Sequence, residues 1–197
     1  MKYEKELIDF YNEFYKFDWE NQEAYCNYLA QSFYYIRHST KTLALAAGHL
    51  NFEDSKIFKR MVKHIGEELN HEMLCSKDLK ALGKTVEDYT ETPETQALYQ
   101  SQYYKIQHEN PLSYLGYVYV LESSCCMIVP KILREKLEPN YPRESYNFLK
   151  VHADEDPGHL TQLQEVLASL KPEDMETVAE NMFFTMTSFL NLLKSCK

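Results

Sequence analysis

Apolar residues recur at helical spacing along almost the whole chain, and no stretch keeps up the strict alternation of a half-buried strand. "YEKELIDFYNEFYKF" (3–17) predicts a first helix, and the same spacing predicts a second from about Asn21 to about Leu50. Asn51 or Asp54 is placed to cap a third, which runs through "SKIFKRMVKHIGEELNHEMLCSKDLKAL" to Gly83 as its C′ residue. Thr92 and Pro93 open a fourth at N-cap and N1, and Pro111 opens a fifth, "LSYLGYVYVLESSCCMIVPKILREKL". After the loop "EPNYP", a sixth starts near Pro142, and "KPEDMETVAENMFFTMTSFLNLLKSC" forms a seventh. The pattern predicts an all-α fold: one domain over residues 1–197, a bundle of about seven helices with no solenoid repeat.

Composition narrows the partners. Hydrophobic residues make up 44 % of 197, enough for a substantial core. The net charge of -9, with no run of Lys and Arg, argues against nucleic acid. The first ten residues carry no apolar leader and no apolar run looks long enough to span a bilayer, so no membrane is expected. Five cysteines without framework spacing suggest reduced thiols in a cytoplasmic protein.

One short echo changes the picture from bundle to chemistry. "HIGEELNH" places His64, Glu68 and His71 at H-x3-E-x2-H, and "HADEDPGH" places His152, Asp156 and His159 at H-x3-D-x2-H. At about 100° per residue, positions 0, 4 and 7 fall within an arc of roughly 60°. Each octet thus points three metal-capable side chains along one helix stripe, and two facing stripes make a carboxylate-bundle metal site. Glu122 is the candidate bridging carboxylate: it sits in the most apolar stretch, where an unpaired Glu is costly. His49 and His108 read as ordinary hydrogen-bonded histidines. Glu67, Glu72, Asp154 and Glu155 lie off the stripes and read as solvated charge.

Imidazole and carboxylate without a thiolate cluster suit Fe(II), Mn(II) or Zn(II). "HEMLC" is not the H-E-x-x-H of a zinc protease, because Cys75 takes the place of the second His. Six ligands on three helices fit two metals better than one. The stretch "VHADEDPGHL" (151–160) has a second reading, a turn in which Asp156 caps a new helix at Pro157. As a helix it loses a hydrogen bond at Pro157, about 3 kcal/mol, which a bound metal can offset. Residues 153–158 are therefore expected to kink or fray without metal and to order with it.

These residues resemble the haem-oxygenase-like di-metal oxidase and oxygenase superfamily, structurally related to thiaminase-type and pyrroloquinoline-quinone-synthase-type proteins. The likeness spans roughly residues 20 to 170 and rests on E-x2-H, a Glu on the next long apolar helix, and H-x3-D-x2-H, in that order. It implies a haem-oxygenase-like fold with Glu68, His71, Glu122, His152, Asp156 and His159 as ligands. Some relatives carry a Glu where this chain has His64, which is then a further ligand or a partner of one. The resemblance also implies two iron ions (manganese at one or both positions is the variant), O2 as co-substrate, an external reductant and a homodimer. The implied substrate is a small, partly apolar molecule such as a carboxylate.

Arg37 and His38, on a helix that lines the cavity in relatives, are candidates for binding it, with Tyr119 and Lys131 behind them. Tyr34, Tyr35 and Tyr117 read as core and cavity lining. Three other functions fit parts of the sequence: a metal-free thiaminase-like hydrolase using Cys125 or Cys126 beside Glu122, haem binding through His38, and a non-enzymatic metal-binding bundle.

Overall fold

The computed structural model describes residues 3–197, and among them helices connected by short turns are the only regular structure. The seven predicted helices appear as ten segments because three of them are interrupted. They are α1 Glu4–Tyr15, α2 Gln22–Ile36, α3 Ser39–His49, α4 Ser55–Glu67, α5 Glu72–Ala81, α6 Pro93–His108, α7 Tyr114–Met127, α8 Val129–Ile132, α9 Asn147–Leu167 and α10 Pro172–Ser195. A π-helical turn, Leu133–Leu137, continues α8.

Several ends follow the sequence signals. Asn21 caps α2 by accepting from the N–H groups of Glu23 and Ala24, and the Thr92 hydroxyl accepts from Thr95 N–H with Pro93 at N1 of α6. Gly83, with φ 75°, closes α5.

One interruption follows an obvious breaker: α7 ends at Met127, and Pro130 lies in the first turn of α8. The other two do not. The second predicted helix divides at Arg37 and His38. There His38 stacks on Tyr99 with 3.9 Å between ring centroids and contacts the Tyr103 hydroxyl at 2.9 Å, so tertiary packing holds the bend. The third divides at Glu68–His71, where Asn70 takes φ 68°, a left-handed conformation that Asn tolerates better than most residues.

The sixth, by contrast, stays whole: α9 runs unbroken through Pro157, and no turn separates residues 153–158. Asp156 is therefore a buried mid-helix residue rather than an N-cap, which corrects the turn reading. The first turn of α9 is satisfied from outside. Phe148 N–H donates to Asp78 Oδ2 at 2.8 Å and the Asn147 amide to Asp78 Oδ1 at 2.9 Å. Burial pushes the Asp78 carboxyl above its ordinary value despite these bonds.

At the centre, α7 packs against α9 on one side and α10 on the other. Gly116 lets α7 and α10 approach: a Cβ there would strike the carbonyl oxygen of Val178. By length and composition Pro111–Leu137 is long and apolar enough to cross a membrane, which corrects the expectation that no such run exists. In this fold 72 % of its most apolar window is buried inside the protein.

An aromatic cluster of Phe10, Phe14, Trp19, Tyr28 and Phe189 locks α1 to α2 and α10 through edge-to-face and tilted contacts. Each such ring pair adds about 0.5–1.5 kcal/mol to what burial contributes. α2 packs on α5 and α3 on α4, and residues of α3, α4, α7 and α9 line a common interior cavity.

Candidate metal centre

Four pieces of backbone deliver the polar residues to that interior. α4 brings His64, with Glu68 as its C-cap, the turn after it brings His71, α7 brings Glu122, and α9 brings His152, Asp156 and His159. Six of the seven are buried and His71 is half-buried. The α9 triplet sits on one helix stripe, as its spacing predicts. The first octet does not: Asn70 interrupts the helix, and His71 reaches the site from the N-cap of α5.

The donor atoms converge around Glu68. His64 Nε2 lies 3.2 Å from Glu68 Oε1, and His71 Nδ1 lies 3.6 Å from Glu68 Oε2. Two sets of three donors could each hold a metal ion: His64, Glu68 and His159, and Glu68, His71 and His152. Glu68 belongs to both. Glu122 Oε1 lies 3.3 Å from His64 Nδ1, and Asp156 Oδ1 lies 3.3 Å from His159 Nδ1, so both further carboxylates border the first set. In the second set His71 Nδ1 and His152 Nε2 are 3.3 Å apart. His152 Nδ1 donates to Phe148 O at 2.7 Å, because a carbonyl can only accept. That bond fixes the tautomer and leaves the Nε2 lone pair facing the site.

The electrostatics are those of a site short of positive charge. Burial pushes Glu68 up, but the imidazoles of His64 and His71 outweigh it and hold the carboxyl below its usual range. The Glu68 carboxylate raises His71, and Asp156 beside His159 raises that imidazole. Burial, then the charge of Asp156, pushes Glu122 well above the carboxylate range. Neither oxygen of Glu122 has a hydrogen-bond partner, and His159 Nδ1 has none. Buried polar atoms left in this state are costly unless something satisfies them. A divalent cation does so, and the donor set is one that iron or manganese accepts. The residues fit a metal.

Two neighbours were not foreseen. Glu67, read as solvated charge, puts Oε2 3.4 Å from His159 Nε2 and so belongs to the edge of the cluster. Arg60 donates to Glu67 Oε2 at 3.1 Å and reaches within 3.8 Å of Glu122 Oε1. The available signal was position: Arg60, His64 and Glu68 are four apart, so Arg60 is the preceding step of the same α4 stripe.

A narrow cavity of about 60 Å3 opens onto the cluster, walled by His64, Glu68, Glu122, His152 and Asp156 on one side. Apolar and aromatic side chains, among them Leu43, Tyr35, Tyr117 and Phe189, form the other side, and no Lys or Arg lines it.

The four residues expected to bind substrate stand elsewhere. Arg37 lies over the Tyr34 ring and 4.0 Å from Glu91, and Lys131 covers the Tyr15 ring. His38 stacks on Tyr99 and meets Tyr103 edge-on. Tyr119 is buried but does not line the cavity that Tyr117 and Val118 line. Arg37, His38, Tyr119 and Lys131 are thus not among the residues that line the cavity. His49 and His108 lie outside the cluster, the former bonded to Leu45 O. All five cysteines are free, and Cys125 lines the cavity.

Residues 26–193 match a family model described as "Iron-containing redox enzyme". No curated protein matches the chain. Among solved structures, a domain of unknown function with a haem-oxygenase-like fold from Shewanella denitrificans superposes with TM-score 0.86 at 22 % identity, covering 99 % of this chain and 90 % of that one. A TenA homologue from Pseudomonas syringae gives 0.79 at 14 %, covering 98 % and 91 %. A CADD-like protein of unknown function from Nostoc punctiforme gives 0.69 at 19 %, covering 90 % and 81 %. At these identities the likenesses establish the haem-oxygenase-like fold.

Proposed function

The chain belongs to the iron-containing redox enzyme family, and from that premise we propose that it is a non-haem two-metal oxidase or oxygenase that uses O2 on a small, largely apolar molecule. The observation that carries this reading is the sharing of Glu68 between two donor sets, each with two imidazoles. One carboxylate flanked by four imidazoles, with Glu122 and Asp156 at its border, suits a pair of ions better than a single one. Two iron ions held there would supply the electrons that reduce O2, with the remainder drawn from an external reductant.

The protein's own part is to hold the donors, exclude water and shape the cavity. His152 is oriented by Phe148 O, Tyr114 is oriented by its 2.7 Å contact with the Thr42 hydroxyl, and the apolar wall selects for a substrate with little charge. With Arg37 and Lys131 turned away, no side-chain cation awaits a substrate carboxylate in the cavity. The substrate class narrows to neutral apolar molecules, or to molecules whose single polar group meets the metal side.

The thiaminase-like alternative is less well supported. Cys125 does line the cavity, but burial and the nearby Asp156 carboxylate push its thiol well up, opposite to what a nucleophilic cysteine requires.

The test is metal content with O2 consumption. Protein loaded with Fe(II) without oxygen should hold two equivalents and consume O2 on mixing, and Asp156→Ala should lose metal and O2 uptake together. One equivalent or none, or full turnover after chelation, would overturn the reading.

A further inference from the structure

Arg60 is out of place in a centre built to receive cations. Its side chain is 10 % exposed, and Nε and Nη2 have no hydrogen-bond partner. Only Nη1 is satisfied, by Glu67 Oε2 at 3.1 Å. A guanidinium never loses its charge in a protein, so this is a permanent positive charge, mostly dehydrated and under-bonded.

Its neighbours are the borders of one donor set. Glu122 Oε1 is 3.8 Å from Arg60 Nη2 and 3.3 Å from His64 Nδ1. Glu67 Oε2 is 3.1 Å from Arg60 Nη1 and 3.4 Å from His159 Nε2. One carboxylate oxygen thus separates Arg60 from each imidazole of the His64–Glu68–His159 set. Among the described residues, neither His71 nor His152 has a neighbouring carboxylate that is itself paired with an Arg or Lys.

We propose that Arg60 is a tethered cation that contests the metal position between His64, Glu68 and His159. In the absence of metal it offsets the charge of Glu67 and Glu122. An ion entering that position meets a fixed positive charge one carboxylate away, while an ion entering between Glu68, His71 and His152 does not. The positions therefore fill in order, and the second fills only as the guanidinium withdraws along Glu67, which is partly exposed and gives it a way toward solvent. Arg60 is a positioning residue: it decides when the pair is complete and takes no part in holding either ion. The inference rests on the two-metal reading above.

Titration with Mn(II), followed by calorimetry and by the electron paramagnetic resonance of free Mn(II), tests both separately and needs no turnover. Wild-type protein should bind two equivalents in two steps. Arg60→Gln and Arg60→Met should tighten the second step by at least about tenfold and leave the first unchanged. Arg60→Lys, which keeps the charge, should resemble wild type. A second step that is unchanged or weaker in the neutral variants, or a first step that shifts as much, overturns the role of Arg60 and leaves the two-metal reading standing. One equivalent in wild type and neutral variants alike overturns both. If the neutral variants lose their helical circular dichroism, wild-type protein labelled with 15N-arginine answers instead. The buried guanidinium signal should move at the second Zn(II) equivalent and not the first, and movement at the first, or none, overturns the proposal.

Discussion

The two walls of the centre carry the same spacing on different backbones. On α9, His152, Asp156 and His159 stand on one unbroken helix of 21 residues, although Pro157 and Gly158 lie between the ligand candidates. On the facing wall, His64, Glu68 and His71 follow the same 0, 4, 7 register, yet the helix stops after Glu67 and restarts at Glu72. The octet with two helix breakers holds, and the octet with no proline divides.

Support explains the difference. α9 packs along α7 and is capped from α5 by Asp78, while Pro157 and Gly158 face solvent, so a missing backbone bond is not buried. α4 packs chiefly on α3, its outer side carries Phe58 and Val62 at 45 % and 48 % exposure, and Leu69 in the turn after it is 61 % exposed. A rigid wall thus faces a jointed one, and Glu68 sits at the joint.

That position makes Glu68 the residue whose loss should break the comparison most completely. Glu68→Ala removes the one donor common to both sets. It is expected to abolish both Mn(II) binding steps, at least about a hundredfold in affinity, because disturbing even the partners of ligands costs about 10–100-fold. His71→Ala should remove only the step that uses His71 and His152. If Glu68→Ala retains one full-affinity step, the sets are independent and the joint is not their shared element.

Backbone packing gives a smaller contrast. Gly116 on α7 has no room for a Cβ against Val178, whereas Gly66 on α4 has nothing within 4 Å of one. Gly116→Ala should destabilise the protein by about 1–3 kcal/mol through overpacking, lowering the melting temperature by about 2–12 °C. Gly66→Ala, in the last turn of α4, should stabilise it by up to about 1 kcal/mol. Thermal denaturation of the two variants checks both signs, and equal destabilisation would mean that α4 is as tightly held as α7.

Spacing made the ligand candidates legible, because the 3.6-residue period fixes which side chains share a stripe whether or not the helix is perfect. Glu122 was legible from the cost of burying it. What spacing could not show was the company each group keeps. Arg37, His38 and Lys131 were assigned to a cavity, but their positions are decided by Glu91, Tyr99 and Tyr15, residues far away in sequence. Glu67 was dismissed for lying off the stripe, yet His159 reaches it from another helix. Two local signals do mark helix ends inside the predicted elements: Asn70, which tolerates left-handed backbone, and Pro130, in the first turn of α8.

The smallest expected effect bears on the joint itself. The sequence of α9 suggests a wall that orders on binding metal, whereas its unbroken course and the left-handed turn at Asn70 make residues 68–71 the competing candidate for that role. Metal at a hundred times its Kd suppresses any opening that destroys the site by about 2.7 kcal/mol, close to a hundredfold in exchange rate. Opening of the joint releases Glu68 and His71 directly, so amide exchange at residues 68–73 should slow by about that factor. α9 as a whole packs on α7 and its first turn is bonded to Asp78, so residues 153–158 should gain less. Hydrogen exchange of metal-free and Mn(II)-loaded protein, compared segment by segment, decides between the walls. A larger gain at 153–158 would make the proline-bearing helix the conditional wall after all, with the left-handed turn at Asn70 a fixed bend rather than a hinge.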